Sequence, residues 1–447
     1  MAQAGIFSWI FLGFCYISAE TKEEHMHSLG RICLIVGVLL LACSAAAEEE
    51  WPPRKSDFSI PIVFGPEGSG GGVGYYFHDL FGKKSRDLYL HDTFTNTAYK
   101  QLMADFQEPD LLLPKSLLKV RFLYLNRTGI HFFGIGNNTD MDDAAYSGAE
   151  IYRGLVSYQV SFGPGLGIGG GAEYHRTSHR DGLLKNPNFQ AGIDELDRPI
   201  SEVYPALYHS ADFRFREFTH NWFVTVFHNN LDQPIFPTRG GYEQFRLARV
   251  DESMGADWNY WRYSAEAAHF FQAPNNYNVL GLYARWDRLD GRYLPFWEYP
   301  ALGHARISLA DYLDGNGLRG YWENRFQEKN RVLGSIEFRH RTRAKWFPKD
   351  KFNLGKEHQP SAKPRPKWLP ERKPLGLTLQ EFLLNSSTLV FVDAGQTWGD
   401  HDPLNQIRVT PGVGAVFYFK SGIAMRMTVG FSDELTAYQL FTYWQAF

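Results

Sequence analysis

Few residues are spaced so that they could carry chemistry, and each has a plainer reading. Gly165-Leu166-Gly167-Ile168-Gly169-Gly170 has the spacing G-x-G-x-x-G. A dinucleotide loop needs that run between a strand and a helix, so that the helix N-terminus meets a pyrophosphate. No helical period follows here, and two-residue alternation continues through Ala172 and Tyr174. Strand glycines at a bend are the better reading. Gly68 to Gly74 reads in the same way, as a turn with loose strand ends. His175 and His179 would share one face of a strand, but no Cys, Asp or Glu in metal-ligand spacing accompanies them. No G-x-S-x-G occurs, so the usual nucleophile elbow is absent. The reading therefore assigns no catalytic, cofactor-binding or metal-binding residue and expects no enzyme. An outer-membrane hydrolase ranks last among the functions considered.

The elements that such residues would sit on are strands. The 447 residues are 44% hydrophobic and 16% aromatic, with 42 Gly, 24 Tyr and 35 Phe. Mean hydropathy is -0.34, too polar for a bundle of spanning helices. A barrel reconciles many aromatics with low hydropathy, because alternate residues face lipid and lumen. Trp and Tyr then serve as interfacial girdles. A net charge of -3 argues against a nucleic-acid partner.

The expected fold is all-β, a 16-stranded antiparallel transmembrane β-barrel. Its candidate strands are 59–65, 72–79, 95–107, 115–125, 148–162, 164–176, 203–217, 220–231, 241–252, 257–271, 276–288, 329–341, 386–398, 405–417, 421–431 and 437–447. The last ends on Phe447, with Phe441 and Tyr443 on the same face. An aromatic-edged closing strand of this kind is expected to act as a C-terminal insertion signal in a Gram-negative-type outer membrane.

The N-terminus adds an export signal. From Met26, a possible true start, Arg31 is followed by an apolar run from Ile32 to Ala42, and Ala45-Ala46-Ala47 fits the A-x-A cleavage pattern. Residues 1–47 are read as removed signal, 48–58 as a short periplasmic segment and 59–447 as the barrel. Leu40-Leu41-Ala42-Cys43 also resembles a lipobox, with simple cleavage preferred. All three cysteines (Cys15, Cys33, Cys43) precede the cleavage site, so the mature part has no thiols to mispair in an oxidising compartment. Residues 342–385 form a basic, Pro-bearing connection. It is read as a solvated loop, with contact to anionic headgroups as the sharper alternative.

Several motifs, in order, resemble one family. Leu318-Arg319-Gly320-Tyr321 is similar to the V/L-R-G-F/Y signature of the bacterial surface antigen (D15-like) barrels, which include BamA, TamA and the two-partner secretion transporters. Glu337 in Ser335-Ile336-Glu337-Phe338-Arg339 matches the family's strand glutamate. Asp393 in Phe391-Val392-Asp393-Ala394-Gly395 matches its F-x-D-x-G aspartate. Phe133-Gly134-Ile135-Gly136-Asn137, Phe236-Pro237-Thr238-Arg239-Gly240-Gly241-Tyr242 and Pro295 to Gly303 also look like family segments. The resemblance implies that a long loop folds into the lumen, pinned by Arg319 on Glu337 and Asp393. It implies a role in inserting or passing polypeptide or lipid, with outer-membrane lipid, client proteins or a separate periplasmic partner as its contacts. About a dozen residues between Ala47 and Ser59 leave no room for the family's periplasmic (POTRA) modules. A passive channel or structural barrel is the alternative function.

Overall fold

Apolar and polar residues alternate along the strands, with the polar ones buried. On one strand Ile336 and Phe338 are exposed, whereas Glu337 and Arg339 are 7% and 8% exposed. On its neighbour Val390 and Val392 are exposed while Phe391 and Asp393 are buried. A protein folded in water buries the opposite set. An apolar outer face around a polar interior is the arrangement of a barrel in lipid.

The computed structural model describes residues 56–443 except 60–61, 66–67, 81–84, 96–98, 141, 183–197, 210–215, 233–236, 275–276, 304–316, 342–385, 403–405, 419–423 and 435. The signal region, the three cysteines, the basic connection 342–385 and Phe447 lie outside the described residues. None of the described helices is long and apolar enough to cross a membrane.

The strands are β1 (Ser56–Ser59), β2 (Ile62–Gly65), β3 (Gly68–Phe77), β4 (Asp87–Thr95), β5 (Lys100–Pro109), β6 (Ser116–Phe132), β7 (Ala145–Ser161), β8 (Leu166–Asp181), β9 (Arg216–Phe218), β10 (Asn221–Asn229), β11 (Gly240–Val250), β12 (Tyr260–Gln272), β13 (Asn278–Asp290), β14 (Ala301–Leu302), β15 (Phe326–Gln327), β16 (Asn330–Arg341), β17 (Ser386–Trp398), β18 (Arg408–Tyr418), β19 (Ala424–Phe431) and β20 (Thr436–Tyr443). Two helical turns, α1 (Ile200–Val203) and α2 (Pro205–Tyr208), interrupt the connection after β8.

All strands but β14 and β15 belong to one sheet of 18 segments. β1 and β2 share the partner β3, and β9 and β10 share β8, so each pair is one interrupted span and 16 spans remain. Antiparallel pairing runs in chain order from β5 to β8, on through β10 to β13, then β16 to β20. The fold is a 16-stranded antiparallel transmembrane β-barrel with a long loop folded inward.

The chain divides into two compact units, residues 1–57 with 76–88, and 58–75 with 89–447. In the first, the turn after β3 is closed by Asp79, whose carboxylate accepts from the Ser85 backbone at 2.7 Å, and by Tyr76 donating to Asp87 at 3.2 Å. The second holds the sheet and the inward loop.

Two strand expectations need correction. Residues 203–208, the first part of the expected strand 203–217, are helical: Pro205 starts α2, and Ile200 packs with Phe132, Tyr260 and Phe296; of the rest, 210–215 lie outside the described residues and 216–217 belong to β9. Conversely, 87–95 is a strand that the sequence reading left out. Its buried face is polar, with Tyr89 and Thr93 hydrogen-bonded to the ring of His91, so it lacks an apolar period. β6, β7 and β8, at 17, 17 and 16 residues, exceed the roughly 9–11 that cross a bilayer, so they run past its edge.

Candidate functional site: a loop clasped in the lumen

The connection from β13 to β16 is drawn together at its base, where β14 pairs with β15 through Ala301–Gln327 and Leu302–Phe326. Leu302, Leu318, Tyr321 and Phe326 pack with Leu333 of the wall into a small apolar core. This core seats the returning limb of the loop, residues 317–328. Gly320 has φ +103°, a left-handed turn that a side chain would strain.

Arg319 sits at that turn, 7% exposed. Its Nε and Nη2 donate to the two oxygens of Asp393, both at 2.6 Å, and its backbone N–H donates to the same carboxylate at 3.2 Å. Nη1 donates to Glu337 and Nη2 to the Ser335 hydroxyl, each at 3.0 Å. The guanidinium lies 3.3 Å from the Phe391 ring centre. The sheet register explains why one planar group reaches all four: Ser335 pairs with Asp393, and Glu337 with Phe391, across β16 and β17. The arginine covers a two-by-two patch of wall. A planar fork suits such a patch better than a point charge would.

Glu337 is held by more than Arg319. Arg339 Nε donates to it at 2.6 Å, and Arg426 of β19 donates as well. Gly430 completes the seat: a Cβ there would lie 2.6 Å from backbone atoms of Arg319 and Gly320. Arg339 could be noticed from the sequence, since it shares a face with Glu337 two residues away. Arg426 and Gly430 have no local signal, because only the sheet register carries them to the loop.

Further ties fix the limb above the clasp. Arg325, 2% exposed, forms a two-bond pair with Glu434 at 2.7 Å and donates to Thr139. Arg127 forms a second two-bond pair with Glu323 at 2.8 Å. The Tyr321 hydroxyl donates to Asp433 at 2.6 Å, which holds that carboxyl below the usual carboxylate range. The Phe133-to-Asn137 loop lies against the same limb, with Gly136 N–H donating to Gln327 at 2.9 Å. Pro237 accepts from Arg339 at 3.1 Å.

The two histidines separate. His175 Nδ1 faces Thr219 at 2.9 Å and Glu298 at 3.3 Å, and the ring of His179 lies tilted against Trp297. Burial alone would raise Glu298, but His175 and Arg262 hold its carboxyl down to about 2. Glu173, two residues before His175 and on the same face, is taken by Arg153 and Arg246. Gly167, Gly169 and Gly171 pair with Phe227, Thr225 and Phe223 of β10 as ordinary strand residues. Of the C-terminal aromatics, Phe441 and Tyr443 lie in β20.

Among solved structures, the chain is similar to BamA from Haemophilus ducreyi lacking POTRA domains 1-3. Identity is 13% and the TM-score 0.54, over 88% of this chain and 70% of that one. It is also similar to CdiB from Escherichia coli at 10% identity and a TM-score of 0.50, over 89% of this chain and 62% of that one, less than two thirds of its length. No family model and no curated protein matches the sequence. At these identities the likeness establishes the fold alone, a transmembrane β-barrel like those of the two structures.

Proposed function

We propose that this chain is an outer-membrane barrel of the assembly and translocation type, which eases insertion or passage of polypeptide or lipid. The carrying observation is the clasp, because a guanidinium 7% exposed and bound to two wall strands holds a loop where an open pore would run. An unpaired charge there would be costly, so the loop's resting place is inside. In this reading Leu318, Arg319, Gly320 and Tyr321 form the plug, and Glu337 and Asp393 its wall receptor. Phe441, Tyr443 and Phe447 form the insertion signal. Export begins with cleavage after Ala47, and no catalytic step is involved.

The test is reconstitution into lipid vesicles, followed by the rate at which an unfolded outer-membrane barrel inserts. The native chain should accelerate insertion, and Arg319→Ala should lose most of that gain. No acceleration, together with a large steady resting conductance, would favour the passive channel instead.

A further inference from the structure

The outer wall changes character along β6, β7 and β8. Near the short turn between β7 and β8, the residues that face away from the lumen are apolar. Val156 and Ile168 are exposed there, as are Trp222, Val224 and Val226 on the neighbouring β10. Roughly 9–11 residues cross the hydrocarbon, so a span counted from Leu166 ends near Arg176. The same outward face continues past the apolar belt, and the register lays its residues out in rows. Tyr124, Tyr152 and Arg176 form one row, Asn126, Glu150 and Ser178 the next, and Gly148 and Arg180 the last.

Contacts within the rows leave both arginines without an acid. The two tyrosine hydroxyls donate to Glu150, at 3.2 and 3.1 Å, and their rings lie 5.0 Å apart. Arg176 lies over the Tyr152 ring, 5.2 Å from its centre, and its Nε is buried without a hydrogen-bond partner. Arg180 crosses β7 to donate to the Asn126 amide oxygen. It passes over Gly148, where a Cβ would come 2.9 Å from the arginine side chain. Among the described residues, neither arginine forms an ion pair with a carboxylate. Arginines unclaimed by protein acids suit a phosphate, whose oxygens a planar fork can engage through two bonds. The rows rise directly from the lipid-facing belt, and Tyr rings at such a boundary sit at headgroup level. The neighbour at that depth is therefore a lipid headgroup.

We propose that Arg176 and Arg180, with Tyr124, Asn126 and Glu150 beside them, bind the negatively charged phosphate headgroup of a membrane lipid. The site lies outside the lumen and depends on neither the plug nor any client. The test titrates the purified full chain in detergent micelles with phosphatidic acid and counts bound lipid by native mass spectrometry. Diacylglycerol and inorganic phosphate serve as separate probes. The native chain should retain phosphatidic acid and not diacylglycerol. Arg176→Gln combined with Arg180→Gln should weaken retention roughly tenfold, the worth of one charge-assisted hydrogen bond. Arg288→Gln removes an exposed arginine of β13 and should leave retention unchanged. Heat resistance on semi-native gels checks folding. Arg180→Gln alone, at an exposed side chain, decides the matter if the double variant does not fold.

Equal retention of diacylglycerol overturns the proposal, as does native-like retention of phosphatidic acid by a folded variant. An equal loss in Arg288→Gln overturns it too, because any arginine at the rim would then serve. Complete displacement of the lipid by inorganic phosphate would make this a site for a free anion and overturn the lipid assignment. None of these readouts involves the insertion rate, so a failed insertion assay would leave the headgroup site standing.

Discussion

Arg319 touches two acids that would respond differently to its loss. Glu337 keeps Arg339 and Arg426, whereas every hydrogen bond described for Asp393 comes from Arg319. Arg319→Ala therefore leaves Asp393 as an uncompensated buried charge, a loss of about 3–5 kcal/mol. On semi-native gels the heat-resistant folded fraction should fall, and Arg319→Ala with Asp393→Ala should recover part of it. In a double-mutant cycle the coupling of Arg319 to Asp393 should exceed its coupling to Glu337; equal couplings would contradict the geometry. Gly430 makes the matching steric case. Gly430→Val forces side-chain atoms into the Arg319–Gly320 backbone and should cost roughly 1–3 kcal/mol by overpacking. It should also raise conductance by displacing the loop. Unchanged conductance in a well-folded Gly430→Val barrel would show that the seat is looser than described.

The inward limb is an element held at separate places: by the wall at Arg319, by the β19–β20 turn at Tyr321 and Arg325, by Arg127 of β6 at Glu323, and by the β6–β7 connection at Arg325. Contacts made by one short segment are expected to couple rather than add. Arg325→Ala frees Glu434, which is partly exposed and can be rehydrated, so its cost should be well below that of Arg319→Ala. Its expected signature is local: faster protease cleavage within 317–328 at nearly unchanged barrel stability. Equal losses of global stability for the two variants would mean that the limb and wall unfold as one unit. Deletion of residues 310–328 should abolish the resting block and give a larger, steadier current in planar bilayers.

At the scale of the whole molecule, the outer face decides where the protein can fold. Ile336 is 56% exposed at the middle of β16, flanked by Val390 and Val392 on β17. Ile336→Arg on this lipid face should cost about 2–4 kcal/mol when folding is measured in bilayers. The cost should be much smaller in a soluble-protein reading, where Ile336 would be an ordinary surface position. Insensitivity of bilayer folding to this charge would place β16 outside the hydrocarbon belt.

What the sequence determined by itself is the period. Two-residue alternation with abundant aromatics and low hydropathy requires strands that present one face to lipid, and that is enough for a barrel. The alternation was legible where the buried face is apolar or regularly charged, as in β16. It failed at 87–95, where Tyr89, His91 and Thr93 satisfy one another in a polar interior, and at 203–208, where bulky residues mimic a strand but Pro205 opens a helical turn. The motif resemblance pointed to Arg319, Glu337 and Asp393, yet the remaining residues at that seat could not be read from the chain. Ser335 meets Asp393, Arg426 reaches Glu337, and Gly430 opens space for Gly320 only because strands distant in sequence fall into one register. Register is a property of the closed set of hydrogen bonds between strands, and no local stretch of residues contains it.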